Sequence, residues 1–159
     1  MIQTAEKLLS EGYASFYPKL KALLQANGKW EARRESVLEI CRDHFGYSAY
    51  METLNSEGEL ALLFEQLKKH PEQIYTYGSA LSKIYKEEIM EMYIKTLRSE
   101  ADRASGRSAY SNVADRIKDF SQAGYNAEAI RLIEELKMVH KRRWSFVELL
   151  DSMGKMLEA

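Results

Sequence analysis

The chain is poor in residues that interrupt helices or cross-link a small fold. Its 159 residues include one cysteine, two prolines and eight glycines. A single cysteine excludes an intramolecular disulfide and is too few for a zinc site built on cysteine. It also favours a reducing, cytoplasmic setting. The shortage of proline and glycine favours long helices over strands and turns.

Long apolar runs and an excess of one charge are also missing. No apolar run approaches the roughly 18 residues that a spanning helix needs, so we expect no membrane partner. Glu6 and Lys7 interrupt the apolar pattern of the first residues, which therefore do not resemble a secretory signal. Charged residues make up 30% of the chain but leave a net charge of −1. Overall charge thus gives no reason to expect DNA or an anionic membrane as partner.

What the chain does have is apolar residues at helical spacing. Hydrophobic residues make up 45%, enough for a genuine core. The pattern is clearest between Arg107 and Met156, where three segments each carry one apolar stripe at steps of three and four. The stripes are Tyr110, Val113, Ala114, Ile117 and Phe120; then Ala129, Leu132, Ile133 and Leu136; then Phe146, Leu149, Leu150 and Met153.

A turn separates the first two of these segments. Gly124 suits the left-handed position after a helix end, and Asn126 suits the following N-cap. The two helices should form a hairpin in which Phe120, Leu132 and Leu136 meet across the turn.

Local signals also predict individual helix ends and one close approach. Ser145 with Glu148, and Ser56 with Glu59, have the spacing of a capping box. Gly78 lies inside a predicted helix, where it is either a weak spot or a place where a neighbouring helix comes close.

No segment alternates apolar and polar residues over the length of a strand, so the predicted fold is all-α. About ten helices joined by short turns suggest stacked antiparallel helical hairpins, in a right-handed α-solenoid array similar to the tetratricopeptide type. We read residues 1–159 as a single helical-repeat domain, either whole or a piece of a longer protein. The segments 13–44 and 110–140 share the order tyrosine, helix, glycine turn, helix, histidine. This order hints at an internal repeat, and a closed irregular bundle remains the alternative.

The same C-terminal stretch resembles a known family. It contains Tyr110-Ser-Asn-Val-Ala-Asp-Arg-Ile, Gly124, Ala127-Glu-Ala-Ile-Arg-Leu-Ile, Arg142-Arg143 and Leu149-Leu150, in that order. This looks like the helical C-terminal tail of bacterial SWIM zinc-finger proteins, and residues 60–104 are similar in style to that tail. The resemblance implies a module that follows a zinc finger.

The chain departs from that family in two ways. Trp144-Ser145-Phe146 stand where a proline is usual, and the zinc-finger cysteines are absent because Cys41 is alone. No zinc or nucleic-acid role of the finger is therefore carried over to this chain.

Residues capable of catalysis or metal binding are few and scattered. Cys41 and His44 could share a helix face, but zinc needs three or four ligands, so a buried structural cysteine is the preferred interpretation. His70 precedes a proline at a helix junction, and His140 stands at a helix end, where its side chain suits the exposed carbonyls. No base or nucleophile accompanies either histidine. We expect no enzyme activity, no metal and no cofactor.

One charge feature supports a functional hypothesis, a basic cluster beside a tryptophan at a turn: Lys137, Lys141, Arg142, Arg143 and Trp144. In the structural interpretation the cations offset the helix dipole, and the two arginines pair with Glu148 or Asp151. In the functional interpretation they form a docking edge for an acidic partner segment, because cations and aromatics are common at protein interfaces.

The predicted function is a non-enzymatic helical module for protein–protein interaction, an accessory domain of a SWIM zinc-finger protein. Its partner would be another protein or another segment of a longer parent chain. The alternative is a nucleic-acid-associated accessory domain in the same context, although net charge does not support nucleic acid as the partner.

Overall fold

A computed structural model describes all residues 1–159, and it contains only helices and the turns that join them. The ten α-helices are α1 (Ile2–Ser10), α2 (Tyr17–Ala26), α3 (Trp30–His44), α4 (Tyr47–Glu57), α5 (Leu60–Lys69), α6 (Ile74–Leu81), α7 (Lys86–Arg103), α8 (Arg107–Phe120), α9 (Asn126–Val139) and α10 (Trp144–Glu158). Short 3-10 turns precede α2 and α6. The all-α prediction is confirmed, and the right-handed solenoid arrangement stays a prediction. None of the helices has the length and apolarity needed to cross a membrane.

Contacts along the chain define two compact units, residues 1–66 and 67–159, with the boundary inside α5. In the first unit α1 packs on α2 and α3, and α3 also packs on α4. In the second, α10 packs on both α8 and α9, while α7 contacts α6 and α8. The prediction of a single domain over 1–159 stays a prediction.

A carboxylate that the sequence analysis did not identify connects three helices of the first unit. Glu57, the last residue of α4, has a side chain only 7% exposed. Its Oε1 accepts a hydrogen bond from Lys21 Nζ of α2 at 2.7 Å. Arg34 of α3 donates to the backbone oxygen of Glu57 at 3.0 Å and pairs with Glu59 at 2.8 Å. These two cations compensate a nearly buried charge, which would otherwise be costly.

The predicted capping box at Ser56 is wrong. Ser56 lies inside the last turn of α4, and Gly58 ends that helix with a positive φ of 70°. Glu59 takes the position before α5, where its backbone oxygen accepts from Leu63 N at 2.9 Å. The helix therefore begins three residues later than the capping box requires.

Two further cap predictions fail for the same reason, a shift in where the helix begins. Ser145 is the second residue of α10, and Arg143 holds the N-cap position without a side-chain cap. Asn126 is the first residue of α9 rather than its cap. Its amide oxygen accepts from Ser121 Oγ at 2.6 Å, and its amide nitrogen donates to Leu157 O at 3.3 Å.

The hairpin of α8 and α9 has the core that its stripes predict. Phe120, Leu132 and Leu136 are all buried. Gly124 has a φ of 108°, in the left-handed half of conformational space, as predicted for a glycine turn.

Three aromatic rings from different elements form a cluster at this hairpin. The Phe120 ring centroid lies 4.9 Å from that of Tyr93 in α7 and 5.2 Å from that of Tyr125 in the turn. The Tyr125 hydroxyl donates to the backbone oxygen of Lys86 at 2.8 Å. The cluster thus ties α7 to the turn between α8 and α9.

Gly78 of α6 makes room for this cluster. A Cβ added at Gly78 would lie 2.5 Å from the Tyr93 hydroxyl oxygen, closer than real Cβ contacts come. Of the two interpretations of this glycine, close approach of a neighbouring helix is the one that the structure shows.

Candidate functional site

The basic cluster lies at the corner between α9 and α10. α9 ends at Val139, the turn runs from His140 to Arg143, and α10 begins at Trp144. The turn is closed by Arg143 N, which donates to His140 O at 2.8 Å. The structure therefore brings the predicted site residues to one short segment, but it gives them different partners.

Arg143 is engaged by the end of another helix. Its Nη1 donates to Ala101 O at 2.8 Å and Ala104 O at 3.2 Å, and its Nη2 donates to Asp102 O at 3.3 Å. These carbonyls end α7 and carry the negative end of its dipole, which a guanidinium stabilises. Arg143 thus caps α7 and holds the corner against it.

The predicted pairing of the arginines with acidic residues of α10 is wrong. Neither Arg142 nor Arg143 forms an ion pair with Glu148 or Asp151. Lys137 does so instead, because it faces α10. Its Nζ lies 2.9 Å from Glu134 Oε1 and 3.3 Å from Asp151 Oδ1.

Lys137 is therefore a link between α9 and α10 and not a free cation. The hydrogen bond with Glu134, and next the one with Asp151, raises the pKa of Lys137. The hydrogen bond from Lys155, and next the one from Lys137, lowers the pKa of the Asp151 carboxyl. Both charges stay ionised around neutral pH, as the pairing requires.

His140 is buried behind the corner. It is 7% exposed, and its ring centroid lies 5.5 Å from that of Phe146. Its Nε2 is 3.3 Å from Asp102 Oδ1 but makes no hydrogen bond. Burial, and next the charge of Arg143, lowers the pKa of His140, while Asp102 opposes them. His140 is thus a neutral part of the core near pH 7, with no nucleophile beside it.

The outer side of the corner is apolar and unpartnered. Trp144 is 82% exposed, Met138 75% and Val139 64%. Lys141 and Arg142, in the turn between them, are exposed and form no ion pair. We call these five residues, Met138, Val139, Lys141, Arg142 and Trp144, the corner patch.

The sequence analysis missed two members of the corner patch, and helical spacing gave a signal for one of them. The buried stripe of α9 runs through Ala129, Leu132, Ile133 and Leu136, and His140 continues it four residues after Leu136. Met138 lies on the opposite side of the helix from this stripe, so its exposure follows from the same spacing. Val139 lies three residues after Leu136, at the edge of the stripe, and spacing alone does not show that it is exposed.

The other candidate residues do not come together. Cys41 is buried, as the preferred interpretation predicts, and burial raises the pKa of its thiol to about 12. His44 is exposed, and His70 lies 3.6 Å from Glu72. The chain contains no group of three or more histidine, cysteine or acidic side chains placed to hold a metal ion.

Comparison of the chain with known protein families, with curated proteins and with solved structures found no match.

Proposed function

We propose that this chain is a non-enzymatic helical module that docks a protein partner at the corner patch. The observation that carries the proposal is the exposure of three large apolar side chains within seven residues: Met138, Val139 and Trp144. Single exposed apolar residues are ordinary, whereas contiguous ones mark interaction surfaces. Tryptophan, methionine and arginine are also the residues enriched at such surfaces.

The charge of the corner patch sets the chemistry of the partner. Lys141 and Arg142 form no ion pair within the chain, whereas Lys137 pairs with Asp151 and Arg143 donates to the backbone of α7. A partner segment that combines acidic residues with a bulky apolar side chain would complement both halves of the corner patch. The occupant that we propose is such an acidic segment, either of another protein or of a longer parent chain.

The cellular context that we propose is that of an accessory domain of a bacterial SWIM zinc-finger protein, in the cytoplasm. This part of the proposal is supported by the order of residues between Tyr110 and Leu150, and by the single cysteine. A repeat of helical hairpins would give such a module an extended binding surface.

The test is to select, from a library of random displayed peptides, those that bind the unsubstituted protein. The selected peptides should be rich in acidic and aromatic residues. Their binding should fall by about tenfold or more in the variant Lys141→Glu with Arg142→Glu, and it should weaken at high salt. Arg143 is left unchanged in this variant, because its substitution would also remove the cap of α7.

The turn between α6 and α7 offers a matched control. Lys83 and Ile84 are exposed there, with one cation and one apolar residue. Lys83→Glu with Ile84→Ala should leave peptide binding unchanged. Equal binding by the corner variant and the parent, or no enriched peptide at all, would remove the corner patch as a docking site. Binding of random single-stranded nucleic acid that the corner variant abolishes would favour the nucleic-acid alternative.

A further inference from the structure

A concave surface separate from the corner patch lies along the exposed face of α7. It is a cleft of about 520 Å³ between that face and the turn that precedes α6, with Pro71 on one side and Met92, Lys95 and Arg103 on the other. Sites for small molecules occupy clefts of roughly 300–1,000 Å³. We call this surface the α7 cleft.

Two of its cations, Lys95 and Arg103, are not neutralised by the protein. Lys95 forms no ion pair, and Arg103 makes only a bond from Nε to the backbone oxygen of Ser99 at 3.3 Å. Lys68 also lines the cleft. Two unpaired cations that face one cleft leave a positive field there.

The carboxylates of the cleft cancel only part of that field. Glu100 has both oxygens engaged, by the Tyr75 hydroxyl at 3.0 Å and by Arg116 Nη1 at 2.5 Å. Its charge is therefore matched by Arg116, whose guanidinium also lies 4.8 Å from the Tyr75 ring centroid. Glu72 is exposed, lies 3.6 Å from His70 and offsets part of the remaining positive charge.

The spacing and lining indicate the shape of a ligand. Lys95 and Arg103 are eight residues apart on α7, which separates them by about 12 Å along the helix axis. Between the two cations the cleft has Thr96 and Ser99, and Met92 lies about one helical turn before Lys95. A ligand that meets all of these groups is elongated and anionic, with an apolar body.

We propose that the α7 cleft binds an organic anion of nucleotide size. Its phosphate or carboxylate groups lie at Lys95 and Arg103, and its apolar body lies on Met92 and Pro71. Arginine and lysine are the side chains that hold phosphate groups, the first through paired donors and the second as a point charge.

The test is titration of the unaltered protein with three anionic probes that each carry an aromatic ring system, adenosine diphosphate, flavin mononucleotide and naphthyl phosphate. Binding is measured by changes in amide chemical shifts and by calorimetry. At least one probe should saturate with shifts centred on Met92, Lys95 and Arg103. Inorganic pyrophosphate, which has no apolar body, should bind about tenfold more weakly than the best probe. The variant Lys95→Gln with Arg103→Gln should weaken that probe by about tenfold or more.

A control variant separates a site from general charge attraction. Lys118→Gln with Arg131→Gln removes the same charge from exposed positions outside the cleft, and it should leave binding unchanged. The proposal is overturned when no probe saturates, when pyrophosphate binds as well as the organic anions, or when both variants weaken binding equally. None of these results bears on peptide binding at the corner patch, because the two surfaces share no residue.

Discussion

An aromatic residue lies near each end of α9, Tyr125 in the turn before it and Trp144 at the start of α10 after it, and the two residues have opposite environments. At the start, Tyr125 is buried, stacks on Phe120 and donates its hydroxyl to Lys86 O. At the end, Trp144 has no ring contact and no hydrogen bond. At the first end the buried aromatic residue has partners for its ring and its hydroxyl, whereas at the second end one of the two tryptophans of the protein lies in solvent. One helix thus contributes to the core at its start and to a surface suited for binding at its end.

Among substitutions that test this contrast, we expect the largest effect from removing the Phe120 ring at the buried end of α9. Phe120→Ala leaves a cavity against Tyr93 and Tyr125, so the free energy of unfolding should fall by about 3–5 kcal/mol. Trp144→Ala should change it by less than about 0.5 kcal/mol, since the side chain is exposed. Urea denaturation measures both. A loss below roughly 1 kcal/mol for Phe120→Ala would show that the buried end is not a packed cluster.

A second variant tests the same cluster by crowding it. Gly78→Ala places a methyl group against the buried Tyr93 ring, and such overpacking costs about 1–3 kcal/mol. Gly154→Ala is the matched control, because the nearest atom to its added Cβ is Ile133 Cγ2 at 3.5 Å, an ordinary contact. Its gain in helix propensity should make it neutral or stabilising by up to about 1 kcal/mol. Equal melting temperatures for the two variants would contradict the close approach of α6 and α7.

At the exposed end, two neighbouring arginines should differ in their effect on stability. Arg143→Ala removes the cap of three carbonyls of α7, and bonds from a charged donor to partly exposed groups should be worth about 1–2 kcal/mol. Arg142→Ala removes no contact and should cost less than about 0.5 kcal/mol. Thermal unfolding of the two single variants checks the difference. The contrast fails if Arg142→Ala is the more destabilising.

The smallest effect concerns His140, whose pKa is lowered in the folded protein. The unfolded chain takes up its proton first as the pH falls below about 6.5, so the folded state loses stability from there downwards. Above that pH the contribution is constant. Asp102, at 3.3 Å, limits the loss, and Arg143 adds to it. His140→Gln should flatten the slope of unfolding free energy against pH below about 6.5. An unchanged slope would contradict the buried, neutral state of this histidine.

The sequence predicts those features of the fold that depend on residues close together in the chain. The stripes predicted the burial of Phe120, Leu132 and Leu136, because a helix repeats within a few residues. The turn at Gly124 followed from glycine's freedom at positive φ. The capping boxes failed because a helix can begin one turn earlier or later at little cost, which spacing alone does not resolve.

Such local signals could not predict which residues of the basic cluster form contacts within the protein and which stay free. Arg142 and Arg143 are the same residue type at adjacent positions, and only the second reaches the carbonyls of α7, some forty residues away in the chain. Likewise, the charge of Glu57 is compensated from α2 and α3. Contacts between distant helices arise from packing. A sequence pattern within one helix therefore cannot predict them.

The single cysteine can report when the core of the first unit opens to solvent. Cys41 is fully buried in the core of the first unit. With its pKa raised to about 12, almost none of it is thiolate at neutral pH, and thiolate is the form that reacts. An alkylating reagent will therefore modify Cys41 only in molecules in which that core has opened. The labelling rate then measures how often the first unit opens, and no engineered probe is required.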